Sequence, residues 1–447
     1  MSSFPFPKGS RRRFLKLSAG TTAGVMLASS IPAVHAAEDN TIRLGIVGCG
    51  GRGTGAVGNA LSTEGGPVKL YAMGDLFEDR LEGSRSRLEQ QFGDKIDVPP
   101  ERRFLGFDAY KKVIDSLRPG DVVILTTHSA FRPLHFEYAV ERGVNVFMEK
   151  SFAVDAPANH RLEAAADKSV EKGLKVGVGF MWRHSKARQE VINRIHDGAI
   201  GDVHTLRIYR MHGPVFCPKR PADMNQIEFQ LRNGARFNWV CSGFFIDWHC
   251  HNIDVACWAK GDWPVEAHGL AGRTDDRAGN LLDHYAVEYT FADGAKLYCY
   301  SRHMVGCWST YSDYAHGTKG AAVLMTNLSQ PKTRIYNNLR MTDDALVWRY
   351  EEREPNPYVV EWQELLDAIR QDKPHNESQR AAKANMVALM GRMAAHTGQF
   401  VTIEQAEQST FQYVADIDHL TFDSEPPIVE GPDGIYPCPV PGVSKEI

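Results

Sequence analysis

The stretch Leu44-Gly45-Ile46-Val47-Gly48-Cys49-Gly50-Gly51-Arg52-Gly53 constrains the fold of this chain more than any other. An apolar run stops at glycines in the first, third and sixth places of G-x-G-x-x-G: Gly48, Gly50 and Gly53. That spacing suits a strand–turn–helix whose backbone approaches a pyrophosphate. Gly48 allows the tight turn, Gly50 the close approach, and Gly53 the packing of a helix whose N-terminal amides face the phosphates. Gly51 and Arg52 complete the loop. A second strand-like run, Val68–Met73, ends at Gly74-Asp75. Asp75 falls about 20 residues past Gly53, where a carboxylate accepts hydrogen bonds from ribose hydroxyls.

Strand-like and helical patterns then alternate to about Val154, as in a parallel α/β sheet. The spacing predicts helices at Ala56–Leu61, Glu78–Phe92, Ala109–Ser116 and Leu134–Arg142, the last stopped by Gly143. It predicts buried strands at Asp121–Thr126 and Val144–Met148, the second running into Glu149-Lys150. Ligands of open parallel sheets bind beyond the carboxyl ends of the strands, which puts Lys150 near a nicotinamide. Read alone, Lys150 also fits a surface salt bridge.

Asn159–Lys172 reads as a linking helix, Leu174–Phe180 as the last strand of the first domain, and Trp182-Arg183 as the start of the second. Alternation returns at Val203–His212 and Tyr285–Arg302, the latter a hairpin turning at Ala292-Asp293-Gly294, so the second sheet should be rich in antiparallel pairs. Helices follow at Val359–Gln371 and Gln379–His396, the second capped by Gly398. The proline-rich tail from Phe422 reads as an extended arm, wrapped on a neighbouring subunit or on its own domain. The expected organisation is residues 41–165 for the first domain, 175–410 for the second and 422–447 for the arm.

Ser242 to Asp254 is the other informative stretch, the start of a helix running to Ala259 and ended by Gly261. Asp247 and His251 share a helix face and His249 points elsewhere. A carboxylate beside an imidazole can orient it and raise its basicity, which suits a general base, and a lysine near the same oxygen stabilises developing negative charge. Taken alone, such a pair also serves to stiffen a helix. His249, Cys250 and His251 diverge around the helix, so no shared metal ion is expected. Trp182, Trp239 and Trp248 could stack on a sugar or pack a core.

The net charge of −4 gives no electrostatic basis for a nucleic-acid or anionic-membrane partner. The eight cysteines show no C-x-x-C or zinc-type spacing. Ser10-Arg11-Arg12-Arg13-Phe14-Leu15-Lys16 resembles a twin-arginine export signal. A weakly apolar segment to Ile31 and the small residues around Ala36 follow it. Residues 1–36 are therefore expected to be a cleaved signal rather than a permanent span, with the mature chain periplasmic or otherwise exported. A dinucleotide protein sent by that route should load its cofactor before export and hold it tightly.

These stretches together resemble the glucose–fructose oxidoreductase/inositol dehydrogenase (Gfo/Idh/MocA) family. The glycine loop, Glu149-Lys150, the Gly243…Asp247…His251…Asp254 pattern, the Gly317-Thr318-Lys319-Gly320 turn and Gly391-Arg392…Thr397-Gly398 carry the likeness. It implies an α/β fold, with an N-terminal Rossmann dinucleotide-binding domain followed by an α/β domain with an open, mostly antiparallel sheet that carries homo-oligomer contacts. It implies Lys150, Asp247 and His251 as catalytic residues. Gly48, Gly50, Gly51, Arg52, Gly53, Asp75, Thr127, Glu149 and Lys150 would bind cofactor. Asp75 would repel a 2′-phosphate, which puts NAD ahead of NADP. The implied substrates are sugars or cyclitols. The alternatives are a redox-neutral glycosidase-type cycle (oxidation, elimination, re-reduction) or a non-catalytic dinucleotide-binding protein. Two places depart from the family pattern: Ser151 and His128 each stand where a proline is usual. The first leaves the course of the loop after Lys150 open.

Overall fold

The computed structural model describes residues 40–326 and 332–447, so the expected export signal lies outside the described residues. The first sheet holds β1 (Ile42–Val47), β2 (Val68–Asp75), β3 (Arg103–Leu105), β4 (Val122–Leu125), β5 (Asn145–Met148) and β6 (Val176–Val178). They lie in the order β3-β2-β1-β4-β5-β6, all parallel. Every residue of β4 and β5 is buried, because helices cover both faces of the sheet. The switch in strand order falls between β1 and β4, at the end of the glycine-rich turn, where ligands of such sheets bind.

The helix after that turn starts at Gly51, not Ala56 as its low-propensity glycines suggested, and runs to Leu61. Helix propensity gives way here to packing. A Cβ on Gly53 would lie 2.1 Å from the Gly48 carbonyl oxygen, so only glycine lets this first turn seat against the strand end. Gly48 itself takes φ +98°, and a side chain there would meet the Thr127 amide nitrogen at 2.6 Å.

The second sheet holds β7 (Val203–His212), β8 (Pro264–Gly272), β9 (His284–Phe291), β10 (Lys296–His303), β11 (Thr310–Gly317), β12 (Gly320–Met325), β13 (Arg334–Tyr336), β14 (Leu346–Arg349) and β15 (Val401–Thr402). Their order is β14-β13-β12-β11-β7-β10-β9-β8-β15, and among the described strands only β7 and β10 pair in parallel. The β9–β10 hairpin alternates strictly between buried and half-exposed residues. Tyr285, Val287, Tyr289, Leu297 and Cys299 form the inner face, covered by helices Gly243–Lys260 and Ser378–Thr397. The other face carries the half-exposed Lys296, Tyr298 and Tyr300.

Two pieces of late chain return to the first sheet. Helix Pro357–Arg370 packs Trp362 on Phe147, ring centroids 4.2 Å apart, and Leu365 over Gly177. The arm, for which the sequence left two courses open, folds onto its own chain. Phe422 packs against Phe107 (5.1 Å) and Phe77 (6.2 Å), Tyr436 lies edge-on to Phe237 (4.9 Å), and Glu446 is buried against Arg392 and His396. Among the described residues all eight cysteines are free, and no helix is long and apolar enough to cross a membrane.

Candidate active site

A cleft of about 370 Å³ opens along the carboxyl ends of the first sheet. Its walls include Gly48, Gly50, Gly51, Arg52, Gly53, Asp75, Thr127, Glu149, Lys150 and Asp247, so the sequence-predicted cofactor set and two of the three predicted catalytic residues meet there. Nothing stands within 4 Å of a Cβ placed on Gly50 or Gly51, so their backbone faces open space. Asp75 ends β2 with its carboxylate fixed: Oδ2 accepts from the Cys49 amide (2.6 Å) and Oδ1 from the Phe77 amide (2.9 Å). Burial pushes this carboxyl up, and those amides pull against it. Arg52 and Glu149 pair across the cleft wall at 2.6 Å, with the guanidinium 4.7 Å from the Tyr358 ring. Behind them Glu361 is buried and finds no hydrogen-bond partner among the described residues; burial, then the Glu149 charge, hold it neutral well above the carboxylate range.

Lys150 crosses from the end of β5 to the histidine-bearing helix. Its Nζ donates to Asp247 Oδ1 at 2.8 Å and to the Asp247 carbonyl. An ammonium has three donors, so one remains for a ligand. Burial works against the lysine charge, but Asp247, together with Cys250 and Glu149, holds the ammonium above the ordinary lysine range. The Lys150–Ser151 peptide is cis.

The expected Asp247–His251 pair does not form. The two residues do sit one turn apart on the helix, but Lys150 takes the carboxylate, and the His251 ring turns to Phe180 (5.8 Å) with Nδ1 unpartnered. Burial, then the charges of Lys150 and Arg210, hold His251 well below 6.5 rather than raising its basicity. His251 is a neutral imidazole standing just behind the cleft lining. His249 is fully buried with neither ring nitrogen bonded, and among the described residues no three metal-ligating groups gather. Asp254, the last member of the helix pattern, is structural: it takes Arg183 in a two-point contact (2.7 and 2.8 Å). Trp182 and Trp239 are core residues, whereas Trp248 is half-buried beside Arg210.

The sequence signalled neither of two further groups. His128, known there only as a missing proline, bridges the domains: Nε2 bonds the Leu231 carbonyl (2.9 Å) and Nδ1 meets Cys241 Sγ (3.0 Å). Burial lowers His128 to about 4, so the neutral ring donates from Nε2 and accepts the thiol proton. Arg188, on helix Lys186–His196, and Arg210, on β7, lie outside any motif, and their charges act on His251.

The described geometry defines an α/β protein with a parallel Rossmann-type sheet followed by a mixed, mostly antiparallel one, and a cleft between them that suits a dinucleotide and a small polar ligand. A family model for the GFO/IDH/MocA C-terminal domain matches residues 189–323. Scyllo-inositol 2-dehydrogenase (NAD(+)) of Bacillus subtilis (strain 168) is 24% identical over 348 residues, 75% of this chain and 88% of the relative. Among solved structures, aldose-aldose oxidoreductase from Caulobacter crescentus complexed with glycerol aligns with a TM-score of 0.63 at 19% identity, over 81% of this chain and 99% of that one. Scyllo-inositol dehydrogenase from Lactobacillus casei, with bound NAD(H) and scyllo-inositol, aligns with a TM-score of 0.60 at 19% identity, over 81% and 99% of the two chains. The solved structures share the fold, and the match to the GFO/IDH/MocA C-terminal domain covers residues 189–323.

Proposed function

We propose that this protein is an NAD-dependent oxidoreductase that exchanges hydride with a ring hydroxyl carbon of a carbohydrate or cyclitol. The observation that carries the reading is the Lys150–Asp247 contact at 2.8 Å, because it joins the end of β5 to the helix that bears His251. Gly48, Gly50, Gly51, Gly53 and Asp75 would hold the dinucleotide, in keeping with the open backbone at Gly50 and Gly51. Bound there, NAD supplies the hydride acceptor. In this reading the third Lys150 donor holds the substrate oxygen and stabilises the charge that develops on it. Neutral His251 takes the hydroxyl proton at Nε2, because Nδ1 is closed off from solvent. Asp247 keeps Lys150 charged and aimed.

The test is to load purified protein with NAD, add sugars and cyclitols, and follow both NADH and products. Net NADH formation supports the dehydrogenase. Aglycone release from glycosides without net NADH would replace it by the redox-neutral cycle, and firm dinucleotide binding without either would leave a binding protein.

Cofactor preference follows from Asp75. Arg80, the nearest cation, already donates to the Arg232 carbonyl (2.7 Å) and packs over Phe77. With the carboxylate fixed at the strand end, NAD should bind roughly tenfold or more tighter than NADP. Asp75→Ser should narrow that gap; equal affinities in the unaltered protein would contradict it.

We also propose that the mature protein lies outside the cytoplasm, because Ser10–Lys16 resembles a twin-arginine export signal. Leu231, Ala235 and Cys241 close the cleft from the second sheet's side, and Phe422 packs on Phe77 and Phe107 at its edge. That enclosure favours a cofactor retained between turnovers. Protein purified without added nucleotide should release NAD on denaturation.

A further inference from the structure

Two arginines whose charges act on His251 are left without an ion-pair partner among the described residues. Lys150 is balanced by Asp247 and Arg52 by Glu149. Arg210 and Arg188 have no carboxylate at ion-pair distance among the described residues. Arg210, on β7, lies 3.9 Å from the Tyr311 ring centroid and 4.7 Å from that of Trp248, and its side chain donates no hydrogen bond to any described residue. Arg188 is fully buried, 3.7 Å over Trp182; Nη1 reaches Ser185 Oγ at 3.2 Å, while Nε and Nη2 find no partner.

The aromatic rings hold the guanidinium planes by their faces and leave N–H edges unused. Arg188 Nε and Nη2 and Arg210 Nε are buried N–H groups without acceptors, which are uncommon because each forfeits its hydration; Arg210 itself is half-exposed. Beside them His251 Nδ1 and Asn252 Oδ1 are also unpartnered. Two acids act on Arg188, Asp313 and Glu354; Glu354 accepts from the Ser185 hydroxyl, and Asp313 is engaged by Asn252 Nδ2 at 2.7 Å. Burial lifts its carboxyl to about 7, so it offsets only part of the charge.

We propose that the substrate of this site is an acidic ring polyol, a uronic acid or cyclitol carboxylate, whose carboxylate Arg210 receives, with Arg188 supplying positive field behind it. The inference rests on the dehydrogenase reading above. A carboxylate meets a guanidinium edge with two parallel hydrogen bonds, whereas a neutral hydroxyl meets one N–H and leaves the surplus charge in place.

The test is calorimetric titration of NADH-loaded protein, in which oxidation cannot proceed. Glucuronate, galacturonate and quinate are compared with glucose, galactose and myo-inositol. At least one acid should bind roughly ten- to a hundredfold tighter than the neutral compounds. Arg210→Gln should remove that advantage, and Arg210→Lys should keep part of it, with NADH binding unchanged in both. Acids that bind no tighter than the neutral compounds, or not at all, overturn the proposal. So does an Arg210→Gln change that weakens both classes alike, or glucose 6-phosphate binding tighter than glucuronate. Protein that takes NADH but prefers neutral sugars loses this inference alone. Protein that does not take NADH loses the dehydrogenase reading beneath it.

Discussion

Replacing His251 by alanine should lower kcat by roughly 10²- to 10⁴-fold, the usual worth of a positioned general base, and leave NADH affinity nearly unchanged. The imidazole stands behind the cleft lining and touches none of the phosphate-cradling glycines. Its Nδ1 has no partner among the described residues, and the charges that act on it, from Lys150, Arg210, Arg188 and Arg52, are all positive. They share one consequence with burial: the protonated ring is disfavoured, so the base is available at neutral pH without help from Asp247. The sign of the pH dependence follows. A base whose pKa lies well below 6.5 stays unprotonated as pH falls through that value, so kcat/KM should show no acid limb near 6.5 from this residue. A limb centred there would mean that Asp247 governs the imidazole after all. Equal loss of turnover and NADH affinity in His251→Ala would make the residue structural.

The largest effect on stability is expected at the far end of the chain. Glu446→Ala should destabilise the protein by about 3–5 kcal/mol, because it strands a buried cation. Arg392 and His396 are both fully buried on helix Ser378–Thr397. Glu446 takes Arg392 Nε at 3.1 Å, His396 Nδ1 at 2.7 Å and the Tyr413 hydroxyl at 3.1 Å. Burial pushes the Glu446 carboxyl up, and Arg392 with His396 pull it further down, to about 2. A folded-state pKa below the ordinary 4.5 means the contribution is complete at neutral pH and fades as pH falls from 4.5 towards 2. Denaturant melts of the unaltered and variant proteins should therefore converge in acid. A difference below about 1 kcal/mol at pH 7, the size of an exposed pair, would show that water replaces the carboxylate.

The arm shows why such an anchor is invisible beforehand. Prolines announce an extended segment, but its docking groove is built from Phe77, Phe107, Phe237 and Arg392, residues drawn from every part of the chain. Lys150 is the opposite case. Its position at a strand's carboxyl end is local information, and the strand could be read from five consecutive residues.

Local patterning determined the parallel sheet, the glycine turn, the β9–β10 hairpin and the helix bearing Asp247 and His251, because backbone conformation and alternation are set by near neighbours. It also named the residues that meet in the cleft. Which of them bond to one another was decided only by the tertiary fold. Helical spacing put Asp247 beside His251, yet an ammonium from β5 competes for the same carboxylate, and a charge-assisted bond to Lys150 is stronger than one to a buried neutral ring. Arg188 and Arg210 reach the site from separate elements, by packing over long separations in sequence, and no spacing rule covers that.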